Sequence, residues 1–301
     1  MIPVVIGNVN RPDLTWKCID SLQKYSGEED IRIIQVDNGC KDPERFTPYY
    51  LEYPEPLGFT RAYNEGIRYA RKQFKKWDSV LLINNDCKVK SNFWEPLLAA
   101  MKSQPKVAIA APLFEDPLNK NISIPIHSDL IGGHIFRHID HNDKGIEWAL
   151  SINFTCVLIS REFIDEHGLL DESMHTFSSD IDYSLRATQA GWKCLVVKSV
   201  LIWHELNQTV NAMPDRMEVK TKDQITFLNK WSGIYFNEIL KNIPLDIKRN
   251  AFANVTFLIA DEDGSIINWG TSEKIKDPTK KIQTEGVREQ FEQIKRLGFD
   301  Q

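Results

Sequence analysis

The chain predicts an α/β fold: a mostly parallel sheet flanked by helices, followed by a C-terminal α+β extension. Three observations point to it. Apolar runs of strand length alternate with stretches of helical periodicity over residues 1–110, the pattern of βαβ units with right-handed crossovers. Several of those runs are continuously apolar, as strands buried on both faces are. Two of them end on acids, Asp37 and Asp86, and in open α/β sheets ligands gather at the carboxyl ends of the strands.

Residues 2–8 form the first β-rich run, and Leu14, Cys18, Ile19 and Leu22 then recur at helical spacing. Residues 31–36 are a second strand, ending on Asp37-Asn38-Gly39. A helix runs from about Thr60 to Phe74, opened by the turn signal Leu57-Gly58-Phe59. Residues 80–83 are the next strand, 93–101 a helix and 107–111 a strand. From Pro112 to Trp148 the periodicity weakens around Gly132-Gly133. His134 and His138 have the spacing of a metal pair on a helix, but the glycines oppose a helix there. With His127 and His141 they read as an acceptor-facing or solvated loop.

Regular structure resumes with a strand at 153–159 and a helix start at Ser160-Arg161-Glu162-Phe163. Residues 168–172 read as a turn. Ser178 or Ser179 is placed to cap a helix whose Ile181, Leu185 and Thr188 face the core. Asp180 and Asp182 fall in its first turn, where the helix dipole favours carboxylates; that alone explains two acids there. Gly191-Trp192 closes the helix, 194–197 is a strand, and Leu201-Ile202-Trp203-His204 ends a further apolar run. Residues 220–242 carry apolar positions at helical spacing. Runs at 254–259 and 266–269 flank Asp261-Glu262-Asp263-Gly264, the pattern of a hairpin with a solvated turn. Residues 284–297 read as a polar helix.

Composition excludes several classes. A net charge of −5 supplies no basic footprint, so no nucleic acid partner is expected. No transmembrane segment is expected either, because no apolar run approaches the roughly 18 residues a span needs. The N-terminus lacks the basic and apolar regions of a signal peptide. The five cysteines are scattered and odd in number, as in a reduced, cytoplasmic protein. There is no G-x-G-x-x-G after the first strand and no G-x-x-x-x-G-K-[ST], which disfavours dinucleotide dehydrogenases and P-loop enzymes. A glycine-rich loop with a basic residue to grip a triphosphate is also missing near the N-terminus, which counts against a nucleotidyltransferase. Taken alone, Asn84-Asn85-Asp86 reads as a strand-to-turn transition, since Asn and Asp favour turns.

Six short stretches, in order, alter that reading. Asn10-Arg11-Pro12 follows the first strand, Val36-Asp37-Asn38-Gly39-Cys40-Lys41-Asp42 ends the second, and Gly58-Phe59-Thr60-Arg61-Ala62-Tyr63-Asn64-Glu65-Gly66 opens a helix. Ile83-Asn84-Asn85-Asp86, then Ser178-Ser179-Asp180-Ile181-Asp182-Tyr183-Ser184-Leu185-Arg186 with Gly191-Trp192, and finally Trp203-His204 complete the set. Together they resemble the family 2 inverting glycosyltransferases, which have the Rossmann-like GT-A fold. The N-N-D triplet is similar to that of rhamnosyltransferase-like members. The resemblance covers about residues 2–210 and implies a GT-A nucleotide-sugar-binding and catalytic domain over 1–210. Residues 211–301 would then form a helical and hairpin extension on the acceptor side.

The resemblance further implies a hexosyl- or deoxyhexosyltransferase that uses Mn2+ or Mg2+. Its donor would be a UDP-, dTDP- or GDP-sugar, and its acceptor a hydroxyl of a glycan or lipid-linked molecule, in glycan or polysaccharide synthesis. The enzyme would be cytoplasmic or peripheral at a membrane. Asp37 and Asn8 would meet the nucleobase, Arg61 and Asn64 the ribose or diphosphate, and Asn84 and Asn85 would shape the loop or meet the ribose and sugar. Asp86 would hold the metal with His204 as a further ligand, and Asp180 would be the general base. The chemistry suits these residue types. A divalent cation offsets the charge of a leaving diphosphate without proton transfer, and a carboxylate takes the acceptor's proton. Three departures from the family pattern stand out: Gly7-Asn8-Val9 after the first strand, Asn84 in place of an acid, and Ser179 in place of a glutamate. The alternative is a catalytically silent nucleotide-sugar or glycan-binding module of the same fold.

Overall fold

The computed structural model describes residues 1–118, 120, 122–125, 144–205, 213–231, 257–260 and 266–270. Its main sheet takes strands β1 (Ile2–Asn8), β2 (Ile31–Asn38), β3 (Tyr49–Tyr53), β4 (Ser79–Asn84), β5 (Cys87–Lys88), β6 (Val107–Glu115), β7 (Ile122–Ser123), β8 (Ile146–Ala149), β9 (Cys156–Ser160) and β10 (Lys193–His204). The helices are α1 (Pro12–Lys24), α2 (Gly58–Gln73), α3 (Trp94–Lys102), α4 (Arg161–His167), α5 (Ser179–Gln189) and α6 (Arg216–Trp231). Strand order is β3-β2-β1-β4-β9-β6-β10-β5, with β7 on β6 and β8 on β10.

Successive side chains of a strand point to opposite faces, so each central strand feeds two cores. Val5, Ile34, Val36, Val80 and Leu82 pack with Tyr63, Ile67 and Ala70 of α2 and with Phe163 and Tyr183 of α4 and α5. Val4, Ile6, Ile33, Leu81 and Ile83 face the other way, onto Cys18, Ile19 and Leu22 of α1 and Leu97 of α3. Gly66 lets α2 lie directly on β1, because a Cβ there would fall 2.2 Å from Val5 Cγ1. Overpacking of about 1–3 kcal/mol would outweigh the ~1 kcal/mol that alanine gains over glycine in a helix.

β1, β2, β3 and β4 are mutually parallel, as the alternation predicts. β9 is antiparallel to both β4 and β6. β10 returns parallel to β6. The two apolar runs at 194–197 and 201–204 belong to one strand, not two. Residues 198–200 are inserted as a bulge, since Val197 pairs with Pro112 and Leu201 with Leu113. Proline has no N–H for a ladder and is tolerated inside a sheet at such bulges, and Pro112 lies beside this one.

Further expectations need correction or placement. Neither Ser178 nor Ser179 caps α5 with its hydroxyl, for both are buried without a hydrogen-bond partner among the described residues. Ser178 instead takes a left-handed φ of +63°, which turns its side chain off the cap geometry. On the core face of α5 it is Ala187, not Thr188, that is buried beside Ile181 and Leu185. The expected hairpin pairs β11 (Phe257–Ala260) with β12 (Ile266–Gly270) antiparallel. The histidines at 127, 134, 138 and 141, the turn at 261–264, the helical stretch beyond 231 and the helix at 284–297 lie outside the described residues.

Candidate active site

The parallel strands β2, β1 and β4 end together, and the polar residues at their tips form one buried chain. Asn8 and Asp37 are register partners. Asn8 Nδ2 donates to Asp37 Oδ2 at 3.4 Å, and the Cys40 N–H donates to Asp37 Oδ1 at 3.0 Å. The Thr15 hydroxyl lies 2.9 Å from Asn8 Oδ1 and accepts from Asn85 Nδ2 at 3.1 Å. Asp37 is thereby linked through Asn8 and Thr15 to the loop that carries Asp86. Burial, opposed in part by the Asn10 N–H, pushes the Cys40 thiol up to about 11, so it stays protonated beside Asp37.

At the end of β4, the Asn84 N–H donates to the Thr155 carbonyl at 2.8 Å. The Tyr63 hydroxyl donates to the Ile83 carbonyl at 2.8 Å and lies 3.1 Å from Asn84 Oδ1. β5 then pairs with the last residues of β10, matching Cys87 to His204, and the Glu205 N–H donates to the Asp86 carbonyl at 2.9 Å. This pairing brings two residues 118 positions apart into one corner. His204 Nε2 lies 3.4 Å from Asp86 Oδ1, and the ring of Phe114 braces the imidazole edge-on at 5.5 Å.

Asp86 and His204 are 5% and 7% exposed. Asp86 Oδ1 and His204 Nδ1 both lack a hydrogen-bond partner among the described residues. The 3.4 Å approach lacks hydrogen-bond geometry, so it does not satisfy the carboxylate. An unsatisfied buried carboxylate oxygen costs about 1–3 kcal/mol or more, and such a cost survives where a ligand recovers it. Ligand atoms of Asp86, Cys87 and His204 lie within 4.8 Å of one another. Carboxylate oxygen and imidazole nitrogen suit Mn2+, and the carboxylate suits Mg2+. Cys87 fits less well: burial in an apolar setting pushes its thiol well above the ordinary value, and it points at the Thr155 carbonyl.

Asp180 is half-buried in the first turn of α5. The Phe154 N–H approaches its Oδ2 at 3.5 Å, and the Ile181 N–H donates to Oδ1 at 2.9 Å. Residues 154 and 155 thus touch both Asp180 and the end of β4. Asp182 plays a structural part. It is fully buried and meets Arg186 Nε at 2.9 Å, Lys230 Nζ at 2.7 Å and Trp231 Nε1 at 2.9 Å, which docks α6 onto α5.

Among the residues expected at the donor, Asn8, Asp37, Asn64 and Asn85 are enclosed by protein, Asn84 is half-buried and Arg61 is exposed. The Asn64 amide is committed elsewhere. It bonds the Leu170 carbonyl (2.9 Å), the Leu170 N–H (3.1 Å) and Glu172 (2.8 Å), pinning α2 to the turn before α5. Thr15, Tyr63, Thr155 and Asp223 also shape the site and were not singled out from sequence. Only Tyr63 and Thr155 carry a local hint, each lying in an otherwise apolar or motif-bearing stretch.

Lys230 also reaches Asp171 at 2.5 Å. Burial works against the Asp171 charge, but the Lys230 ammonium and bonds from Ser173 hold its pKa down at about 2. That is below the ordinary 3.8, so its contribution to stability is present above 3.8 and disappears as pH falls toward about 2. Asp171→Asn should lose about 1–2 kcal/mol at neutral pH, a value reduced for partial exposure, with the gap to wild type closing in strong acid. Urea unfolding at several pH values measures this; a gap that does not change with pH would contradict it.

The sheet and its flanking helices define a GT-A class α/β fold. The chain belongs to Glycosyl transferase family 2, whose family model matches residues 4–168. It is 25% identical over 205 residues to the low-salt glycan biosynthesis hexosyltransferase Agl10 of Haloferax volcanii, spanning 58% of this chain and 64% of that protein. It is 23% identical over 235 residues to the O-antigen biosynthesis protein RfbC of Myxococcus xanthus, spanning 71% and 18%. The chain therefore covers less than two thirds of the length of either curated relative. Among solved structures, GalNAc-T7 with UDP, GalNAc and Mn2+ matches with a TM-score of 0.58 at 15% identity, over 83% of this chain and 54% of that one. The mannosyltransferase PcManGT of Pyrobaculum calidifontis, with GDP-Man and Mn2+, matches with 0.54 at 13% identity, over 84% and 68%. At such identities the likeness is one of fold.

Proposed function

We propose that this protein is a metal-dependent inverting glycosyltransferase. It would move a hexosyl or deoxyhexosyl group from a UDP-, dTDP- or GDP-sugar to a hydroxyl of a glycan or lipid-linked acceptor, in glycan or polysaccharide synthesis. One observation carries this reading: the buried Asp86–His204 corner at the strand ends, with Asp86 Oδ1 and His204 Nδ1 both unpartnered among the described residues. The names and bound ligands of the relatives and fold neighbours agree with it.

In this reading Asp86 and His204 hold Mn2+ or Mg2+. When bound, the cation offsets the negative charge that forms on the nucleoside diphosphate as the glycosidic bond breaks. Asp37, Asn8 and Asn85 fix the strand-end chain that shapes the nucleotide pocket, and Asn84 and Arg61 present polar groups to the ribose and diphosphate. Asn64 supports them from behind. Asp180 takes the proton of the acceptor hydroxyl as its oxygen attacks the anomeric carbon opposite the leaving diphosphate, so the product is inverted. Residues 211–301 are assigned to the acceptor side, a placement supported by the docking of α6 beside Asp180. A lipid-linked acceptor would bring the protein to a membrane surface; no helix of the described residues is long and apolar enough to cross one.

A thermal-shift screen of UDP-, dTDP- and GDP-sugars with and without Mn2+ tests the proposal. One donor class should raise Tm only when the metal is present, because a ligand that binds the native state alone stabilises it. No metal-dependent shift with any donor would overturn it.

A further inference from the structure

A single carboxylate from α6 holds the backbone that leads into Asp180. Asp223 is 1% exposed. Its Oδ1 accepts the His175 N–H at 2.8 Å, and its Oδ2 accepts the N–H groups of Thr176 at 2.7 Å and Phe177 at 2.8 Å. Three successive backbone N–H groups converging on one anion form a nest, and bonds to an ionised acceptor are the strong kind. The next residue, Ser178, takes the left-handed φ of +63° that non-glycine residues avoid, and α5 starts immediately after it. Such a conformation persists only where its surroundings determine it.

The same segment is gripped from the opposite side. The His175 carbonyl accepts the Thr60 N–H at 3.1 Å at the start of α2. Gly58 makes room there, since a Cβ would fall 2.5 Å from His175. Beyond Asp180, α6 takes hold once more, through Lys230 and Trp231 on Asp182. Asp180 thus lies between two points fixed by one helix. The Asp182 contacts already dock α6 on α5, whereas the Asp223 bonds go only to the main chain ahead of Asp180.

We infer that Asp223 is a positioning residue for the transfer reaction, setting the path of residues 175–178 and through it the placement of the Asp180 carboxylate. The inference rests on the reading of Asp180 as the base. Asp223→Asn keeps the size of the side chain but replaces one accepting oxygen with an NH2 group facing amide donors, so at least one of the three bonds is lost. A catalytic group displaced by about 1 Å can lose on the order of a hundredfold in rate.

The test uses the full chain, the donor that the nucleotide-sugar screen selects, Mn2+ and water as the acceptor hydroxyl, with turnover read as release of the nucleoside diphosphate. Asp223→Asn should lower kcat by about a hundredfold while the Kd for UDP, dTDP or GDP in Mn2+ stays within about twofold. A merely structural role would instead weaken turnover and nucleotide binding together, and that result overturns the inference. So does a kcat within about twofold of wild type. A third measurement needs no variant: in wild type the amides of 175–177 should resist hydrogen exchange as well as those of α5, and free exchange there overturns the inference even if Asp223→Asn does not fold. Failure of the underlying reading is separate, for it appears as undiminished turnover in Asp180→Asn, whatever Asp223→Asn does.

Discussion

Asp180→Asn is expected to lower turnover by about 10²- to 10⁴-fold, the usual worth of a general base, while leaving nucleoside diphosphate binding intact. The amide has nearly the carboxylate's shape and can still accept the Ile181 N–H that meets Oδ1. The Phe154 N–H contact at 3.5 Å is too long to hold the helix start by itself. The fold around α5 is instead fixed by Asp182 and Asp223. Loss of turnover in this variant, with its Tm unchanged, therefore reports on proton transfer rather than on folding. Turnover comparable with wild type would exclude Asp180 as the base.

Asp86→Ala is expected to weaken metal-dependent binding of a nucleoside diphosphate by about a hundredfold or more. Alanine leaves His204 as the sole side-chain ligand of the pair. Stability should move the other way. The wild-type carboxylate buries an oxygen with no partner among the described residues, so its removal should leave the Tm of the metal-free protein unchanged or higher. A residue present only to hold the loop would show the reverse, with lost stability and unchanged binding. Joint measurement of Tm and nucleotide affinity separates the two roles.

Much of the fold was legible because its central strands are almost continuously apolar. Val4–Ile6, Ile33–Val36 and Val80–Ile83 are buried on both faces, and the helices between them carry one apolar side. β3 escaped notice because Tyr49–Tyr53 is half-exposed and lies at the sheet edge, where burial does not impose a pattern. The antiparallel insertion of β9 was hidden for a different reason. Strand direction follows from the connection, and residues 116–145 carry no periodicity to reveal it. Within the site, acids that end apolar runs or open helices were visible: Asp37, Asp86 and Asp180. Asp223 was not, because an acid on an amphipathic helix looks solvated, and its partners are backbone N–H groups 46 to 48 residues away. Backbone donors leave no signature in a sequence. Asn64 shows a use that a motif does not reveal. Its position matched a motif, yet its amide is used to hold the turn at Leu170.

The central claim is that Asp86 and His204 form a metal-dependent seat for the diphosphate of a nucleotide-sugar. Calorimetric titration of UDP, dTDP and GDP into wild type and Asp86→Ala, each with and without Mn2+, tests it most directly. The account predicts heat of binding for at least one nucleotide in wild type with Mn2+, and a large loss of affinity when either the metal or Asp86 is removed. Equal affinity with and without Mn2+, or in the variant and wild type, would contradict it.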